Sequence, residues 1–144
     1  MAETITLAVD VPTSPARVFE ILTSTEGQRA TWTADCDVSR NSARFGFPGA
    51  PADLVTDVAA EDGRRVRMRV TSGFPYWEGS SWEWELAEGP EGGTGVLFRH
   101  TGFQEGYPEG EYARCAQTWA RILDRLADYA TGGPAAPVFP AAGA

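Results

Sequence analysis

Positive charge is in short supply in this chain. Basic residues number 12 against 20 acidic ones, a formal net charge of −8. Nucleic acids and anionic membrane surfaces recruit clustered positive charge, so neither is expected as a partner. Long apolar runs are also missing, and no stretch approaches the roughly 20 residues that cross a bilayer. Met1-Ala2-Glu3-Thr4 shows no basic segment leading into an apolar block, so no secretory signal is expected and the chain reads as cytoplasmic. Cysteine is limited to Cys36 and Cys115, whose spacing fits neither a metal site nor a redox pair; two reduced thiols are expected. His100 is the only histidine, so no histidine metal cluster can form, and neither metal nor other cofactor is expected. The chain has no internal repeat, no Gly-x-Ser-x-Gly elbow, no phosphate loop, no dinucleotide fingerprint and no zinc spacing.

What is present is organised around residues 109–130. Tyr112, Cys115, Ala116, Trp119, Ile122, Leu123, Leu126 and Tyr129 recur in steps of three and four, the apolar stripe of an α-helix. Glu109 and Glu111 suit its positive end, and Thr131-Gly132-Gly133-Pro134 stops it. A helix roughly 30 Å long with so broad a stripe needs a sheet to lie on. Upstream, residues 4–11 alternate as a half-buried strand, broken at Pro12. Ser14 and Pro15 are placed to cap and open a short helix over 16–23, and 25–32 reads as a second short helix or turn interrupted by Gly27. Weak strand signals over 36–47 precede clearer strands at 53–60, 64–71, 81–88 and 94–101, with a hairpin turn at Asp62-Gly63. A run of antiparallel strands closed by one helix, without βαβ alternation, is an α+β arrangement. The expected domain is 1–133, followed by a flexible Pro/Ala/Gly tail over 134–144.

Several segments carry a family likeness in their order and spacing. They are Ser14-Pro15-Ala16-Arg17-Val18-Phe19, Trp32, Trp77-Glu78-Gly79-Ser80, the run from Gly93 to Phe103, Cys115 to Trp119, and Thr131-Gly132-Gly133-Pro134. Together they resemble the START-like helix-grip superfamily (polyketide cyclase/dehydrase and lipid transport, SRPBCC). Within it they resemble the branch related to the activator of the heat-shock-protein ATPase. The resemblance implies a curved antiparallel sheet wrapped around the C-terminal helix, with a cavity between them. It transfers no catalytic set, because this fold serves carriers, enzymes and co-chaperones alike.

The inward-facing set predicted for that cavity is Met68, Trp82, Trp84, Phe98 and His100 from the sheet, faced by Tyr112, Trp119 and Leu123 from the helix. It reads either as packed core or as the wall of a pocket for a small hydrophobic or aromatic ligand, with His100 and Tyr112 orienting it by hydrogen bonds. His100 is a core histidine bonded to a backbone carbonyl or Tyr112, or else a proton carrier. Asp57 would face inward beside it if the Asp62-Gly63 turn were a strict two-residue one, and outward with a longer turn or a bulge. Phe74, Tyr76 and Trp77, with Phe47 opposite, form a lid over the pocket mouth or an interface with a second copy; alternatively Trp77 plugs the core. Arg65, Arg67 and Arg69 face Glu83 and Glu85 as charge pairing on the solvated face. A Cys115–His100 pair is discounted because no orienting group is visible. Ligand binding is the first expectation. A cyclase/dehydratase using His100, with Asp57, is the second, and a module stimulating a chaperone ATPase is the third. A homodimer is compatible with the exposed rings.

Overall fold

A computed structural model describes residues 4–140. The chain runs β1 (Ile5–Val11), α1 (Pro15–Thr23), α2 (Thr25–Thr31), β2 (Asp35–Val38), β3 (Ser42–Gly46), β4 (Leu54–Glu61), β5 (Arg65–Ser72), β6 (Ser81–Glu88), β7 (Thr94–Thr101) and α3 (Glu109–Ala130), with a 3-10 turn at Pro90–Gly92. All seven strands join one antiparallel sheet in the order β1-β7-β6-β5-β4-β3-β2. The weak signals before Phe47 therefore resolve into two strands, β2 and β3. This is the α+β helix-grip fold, with the inner sheet face closed over α3.

Alternation builds the inner face. Val58, Met68, Trp82, His100 and Ile5 lie opposite one another across five strands, and the next row is Ala60, Val66, Trp84, Phe98 and Leu7. From α3, Cys115, Trp119, Ile122, Leu123, Leu126 and Ala130 are buried against this face. Trp119 is the hub: its ring lies 4.5 Å from Phe98, 5.0 Å from Trp32 and 5.2 Å from Trp82, centroid to centroid. On the solvated face the charges pair diagonally, Arg65 with Glu83 at 3.0 Å and Arg99 with Glu85 at 3.7 Å.

The ends of the helices follow from local chemistry. Ser14 Oγ accepts the Arg17 N–H at 3.3 Å and Pro15 fills the first position of α1. At the end of α3, Gly132 takes φ +97°. Its N–H reaches Tyr129 O at 3.2 Å while Gly133 N–H reaches Asp128 O at 2.8 Å, the double bond of a Schellman cap. Gly27 does not interrupt α2. It lies buried within the helix because a Cβ there would collide with the Ile21 backbone, so close packing of α2 on α1 demands glycine.

Two points are decided by tertiary contacts, and the first is the face of Asp57, which a turn longer than two residues was expected to send outward. The β4–β5 turn holds three residues, with Glu61 opposite Arg65, Arg64 N–H bonded to Glu61 O at 2.9 Å and Gly63 at φ +69°. A further register shift occurs between Val55 and Thr56. The three-residue turn sets Asp57 opposite Arg69 and points it outward into solvent. One residue of slip exchanges the two faces of a strand, which is why the turn decides Asp57. The second is the segment after α3. Residues 134–140 dock on α2: Ala136 N–H bonds Ala30 O at 2.9 Å, Phe139 N–H bonds Trp32 O at 2.8 Å, and Ala34 N–H bonds Phe139 O at 3.0 Å. Val138 is buried beneath them. Residues 141–144 of the expected tail lie outside the described residues.

Candidate functional site

The polar thread through the core runs along three side chains to a backbone carbonyl. Trp119 Nε1–H donates to His100 Nδ1 at 3.1 Å. The indole nitrogen can only donate, so Nδ1 is unprotonated and the imidazole proton sits on Nε2. That Nε2–H lies 2.9 Å from Ser80 Oγ, and the Ser80 hydroxyl donates in turn to Trp77 O at 2.6 Å. His100 is fully buried and no charged side chain contacts it, so burial alone pushes its pKa down to about 3. It is therefore neutral near pH 7. Its partners are Trp119 and Ser80 rather than Tyr112 or a backbone carbonyl. Both nitrogens are occupied, so Cys115 has no base there. Asp57, on the opposite face, cannot assist it.

Space opens beside this thread, under the first half of α3. A cavity of about 530 Å³ is walled by Trp32, Phe47, Phe74, Pro75, Tyr76, Trp77, Tyr107, Glu111, Arg114, Cys115, Thr118, Trp119, Ile122 and Phe139. Eight of these carry six-membered aromatic rings or indoles. They brace one another: Phe74 lies 5.2 Å from Trp77 at 71°, Phe47 lies 5.4 Å from Phe74, and Phe139 meets Phe47 edge-on at 5.2 Å. Trp77 Nε1–H donates to Tyr107 Oη at 3.0 Å, so that indole is satisfied as part of the wall. Tyr76 holds φ +69°, an unusual backbone state for a side chain with a Cβ. It is retained there by stacking on Tyr107 at 5.3 Å and by the Gln104 N–H bonded to its carbonyl at 2.8 Å. The Cys115 thiol is pushed up to about 12 by burial, and Tyr107 is raised for the same reason. Among the described residues no His, Cys, Asp and Glu group of three or more is placed to hold a metal ion.

The residues expected to line the pocket divide sharply. Trp119 lines the cavity. Met68, Trp82, Trp84, Phe98, His100 and Leu123 are buried in the core, and Tyr112 packs on Phe103 and Tyr107 at its edge. The aromatic lid residues Phe47, Phe74, Tyr76 and Trp77 all line the cavity; Trp77 both walls it and caps the core, at 8% exposure. Sequence reasoning missed Trp32, Tyr107, Glu111, Arg114, Cys115, Thr118, Ile122 and Phe139. The α3 members among these follow a helical stripe offset by about one residue from the most apolar one, a signal visible in principle. Trp32 and Phe139 have no periodic neighbours and come together only through the docked tail.

A curled seven-stranded sheet gripping a long C-terminal helix, with a ring-lined cavity at one end, defines the class as a START-like helix-grip protein. A family profile described as "Activator of Hsp90 ATPase homolog 1-like protein" matches residues 12–131, and the chain belongs to that family. Among solved structures, it is similar to the Aha1 dimer from Colwellia psychrerythraea, with TM-score 0.78 and 24% identity over 91% of this chain and 98% of that one. CalU16 from Micromonospora echinospora gives TM-score 0.67 and 19% identity over 91% of this chain and 78% of that one. DynU16, from the dynemicin biosynthetic locus, gives TM-score 0.72 and 22% identity over 96% of this chain, which spans 51% of it. These likenesses carry the fold. No curated protein matches the chain. No helix among the described residues is long and apolar enough to cross a membrane.

Proposed function

We propose that this protein binds a small hydrophobic or aromatic molecule in the chamber between the aromatic loop 73–79, Phe47, Phe139 and the first half of α3. The observation that carries this reading is the cavity itself, about 530 Å³ with eight aromatic side chains around it. That volume falls within the range of small-molecule sites, and an apolar wall with few polar groups is their usual composition. Rings already braced against one another lose little freedom on binding, which favours affinity. A proton-transfer role for His100 finds no support in the geometry, because the imidazole is neutral, fully hydrogen-bonded and outside the cavity wall.

Native mass spectrometry of the purified chain, followed by a lipophile panel read by tryptophan fluorescence, tests the proposal. Trp32, Trp77 and Trp119 border the chamber and report on its contents. Thr118→Trp places an indole in the chamber from a half-buried helix position and serves as the blocked control. A saturable response or co-purified adduct in the natural protein, absent from a folded Thr118→Trp, supports the reading. A clean mass and identical flat titrations for both proteins refute it.

Family membership supports a second reading, an interaction module for a chaperone ATPase. Stimulation of such an ATPase by the purified chain would support it; no stimulation and no capture of the chaperone would count against it. The Colwellia relative was solved as a dimer, which makes a homodimer the first assembly to test by sedimentation.

A further inference from the structure

We propose that the chamber selects organic acids: an aromatic or apolar body among the rings, with its carboxylate held at the rim by Arg114. This rests on the ligand-binding reading above and names the class of ligand for that same site. Among the described residues Arg114 is the one cation in the cavity wall. Among the described residues the ion pairs belong to Arg17, Arg29, Arg44, Arg65 and Arg99, and Arg114 makes none. A partner stands within reach by sequence, since Glu111 precedes it by three residues on the same helix and lines the same cavity. The same i,i+3 separation joins Arg17 and Glu20 at 2.6 Å in α1. Arg114 and Glu111 do not close that contact, so no carboxylate among the described residues holds the guanidinium.

Position along α3 favours the cation over the anion as the group that meets the ligand. Arg114 is followed one turn later by Thr118, and both donor-bearing side chains line the cavity together with Cys115, Trp119 and Ile122. Glu111 lies a turn nearer the start of the helix, with no hydroxyl-bearing wall residue one turn after it. A guanidinium beside a hydroxyl matches a carboxylate, which accepts from both, and a planar guanidinium engages it with two parallel bonds. The net charge of −8 opposes an anion at long range, but water screens that field over about 10 Å at ordinary salt, whereas the rim contact is direct; Glu111, one turn away in the same wall, weakens that contact without screening.

The test uses 2-naphthylacetate, its primary amide and 2-naphthylethylammonium as probes sharing one ring system, titrated against tryptophan fluorescence. The acid is expected to bind about tenfold more tightly than the amide. Arg114→Gln, an exposed substitution that leaves the core untouched, is expected to erase that difference by weakening the acid about tenfold more than the amide. Equal binding of acid and amide, unchanged in Arg114→Gln, overturns the assignment of Arg114 and leaves the chamber standing. Tightest binding of the ammonium probe also overturns it, in favour of Glu111 and the ring faces. No saturable response from any probe, in either the natural chain or Thr118→Trp, overturns both this inference and the reading it rests on.

Discussion

Replacing His100 by glutamine tests the polar thread that joins α3 to the aromatic loop. Glutamine keeps one acceptor for Trp119 Nε1–H and one donor for Ser80 Oγ, but it stays neutral at every pH. The natural imidazole does not. Unfolded, its pKa is the ordinary value near 6.5; folded, burial holds it near 3. Below pH 6.5 the unfolded chain therefore takes up a proton that the folded chain refuses, and stability is lost as pH falls through the window from 6.5 to 3. Linkage gives a loss of about 2 kcal/mol between pH 7 and pH 5, and about 3 kcal/mol by pH 4. The exposed carboxylates that titrate over the same range are common to both proteins and cancel in the comparison. Urea unfolding, followed by tryptophan fluorescence at pH 7, 6 and 5, should show His100→Gln less stable at pH 7, with the gap narrowing by about 2 kcal/mol at pH 5. Parallel pH dependence in the two proteins would refute the argument, and so would a nitrogen chemical shift showing His100 Nδ1 protonated.

Other consequences are simpler to measure. Gly27→Ala drives a methyl group into the Ile21 backbone and should cost about 3 kcal/mol in urea unfolding; a change below about 0.5 kcal/mol would mean that α1 and α2 part easily. Cys115, with its thiol near 12, should react with iodoacetamide at pH 8 at least about a thousandfold more slowly than a free thiol, as followed by intact mass, and should gain ordinary reactivity only in denaturant. Asp57→Asn on the solvated face should leave both stability, within about 0.5 kcal/mol, and any ligand response unchanged; loss of the response would place Asp57 in function after all.

Much of the fold was legible in the chain because it rests on periodicity. The steps of three and four in 109–130 gave α3 its length and face, and the caps at Ser14-Pro15 and at Thr131-Gly132-Gly133 are local chemistry. The alternation of Val66, Met68 and Val70, then Trp82, Trp84 and Leu86, set which side chains turn inward, and His100 followed with them. Asp57 was not legible, since a single residue in the β4–β5 turn decides its face and Asp-Gly serves turns of more than one length. Gly27 looked like a break because its reason for being glycine lies across the α1–α2 contact.

The candidate site divides along the same line. The sequence alone determined that many large rings had to be buried or clustered, and that Phe47, Phe74, Tyr76 and Trp77 sat on irregular segments near the mouth. Only the tertiary structure decided which rings touch empty space. Inward position in a strand puts Trp82, Trp84 and Phe98 against α3, where close packing leaves no room. The gap appears instead between the first half of α3 and the aromatic loop, and its wall is completed by Trp32 and by Phe139 from the docked tail. A side chain's direction is a local property with a period that can be read; a cavity is a failure of several distant surfaces to meet, and no local pattern encodes it.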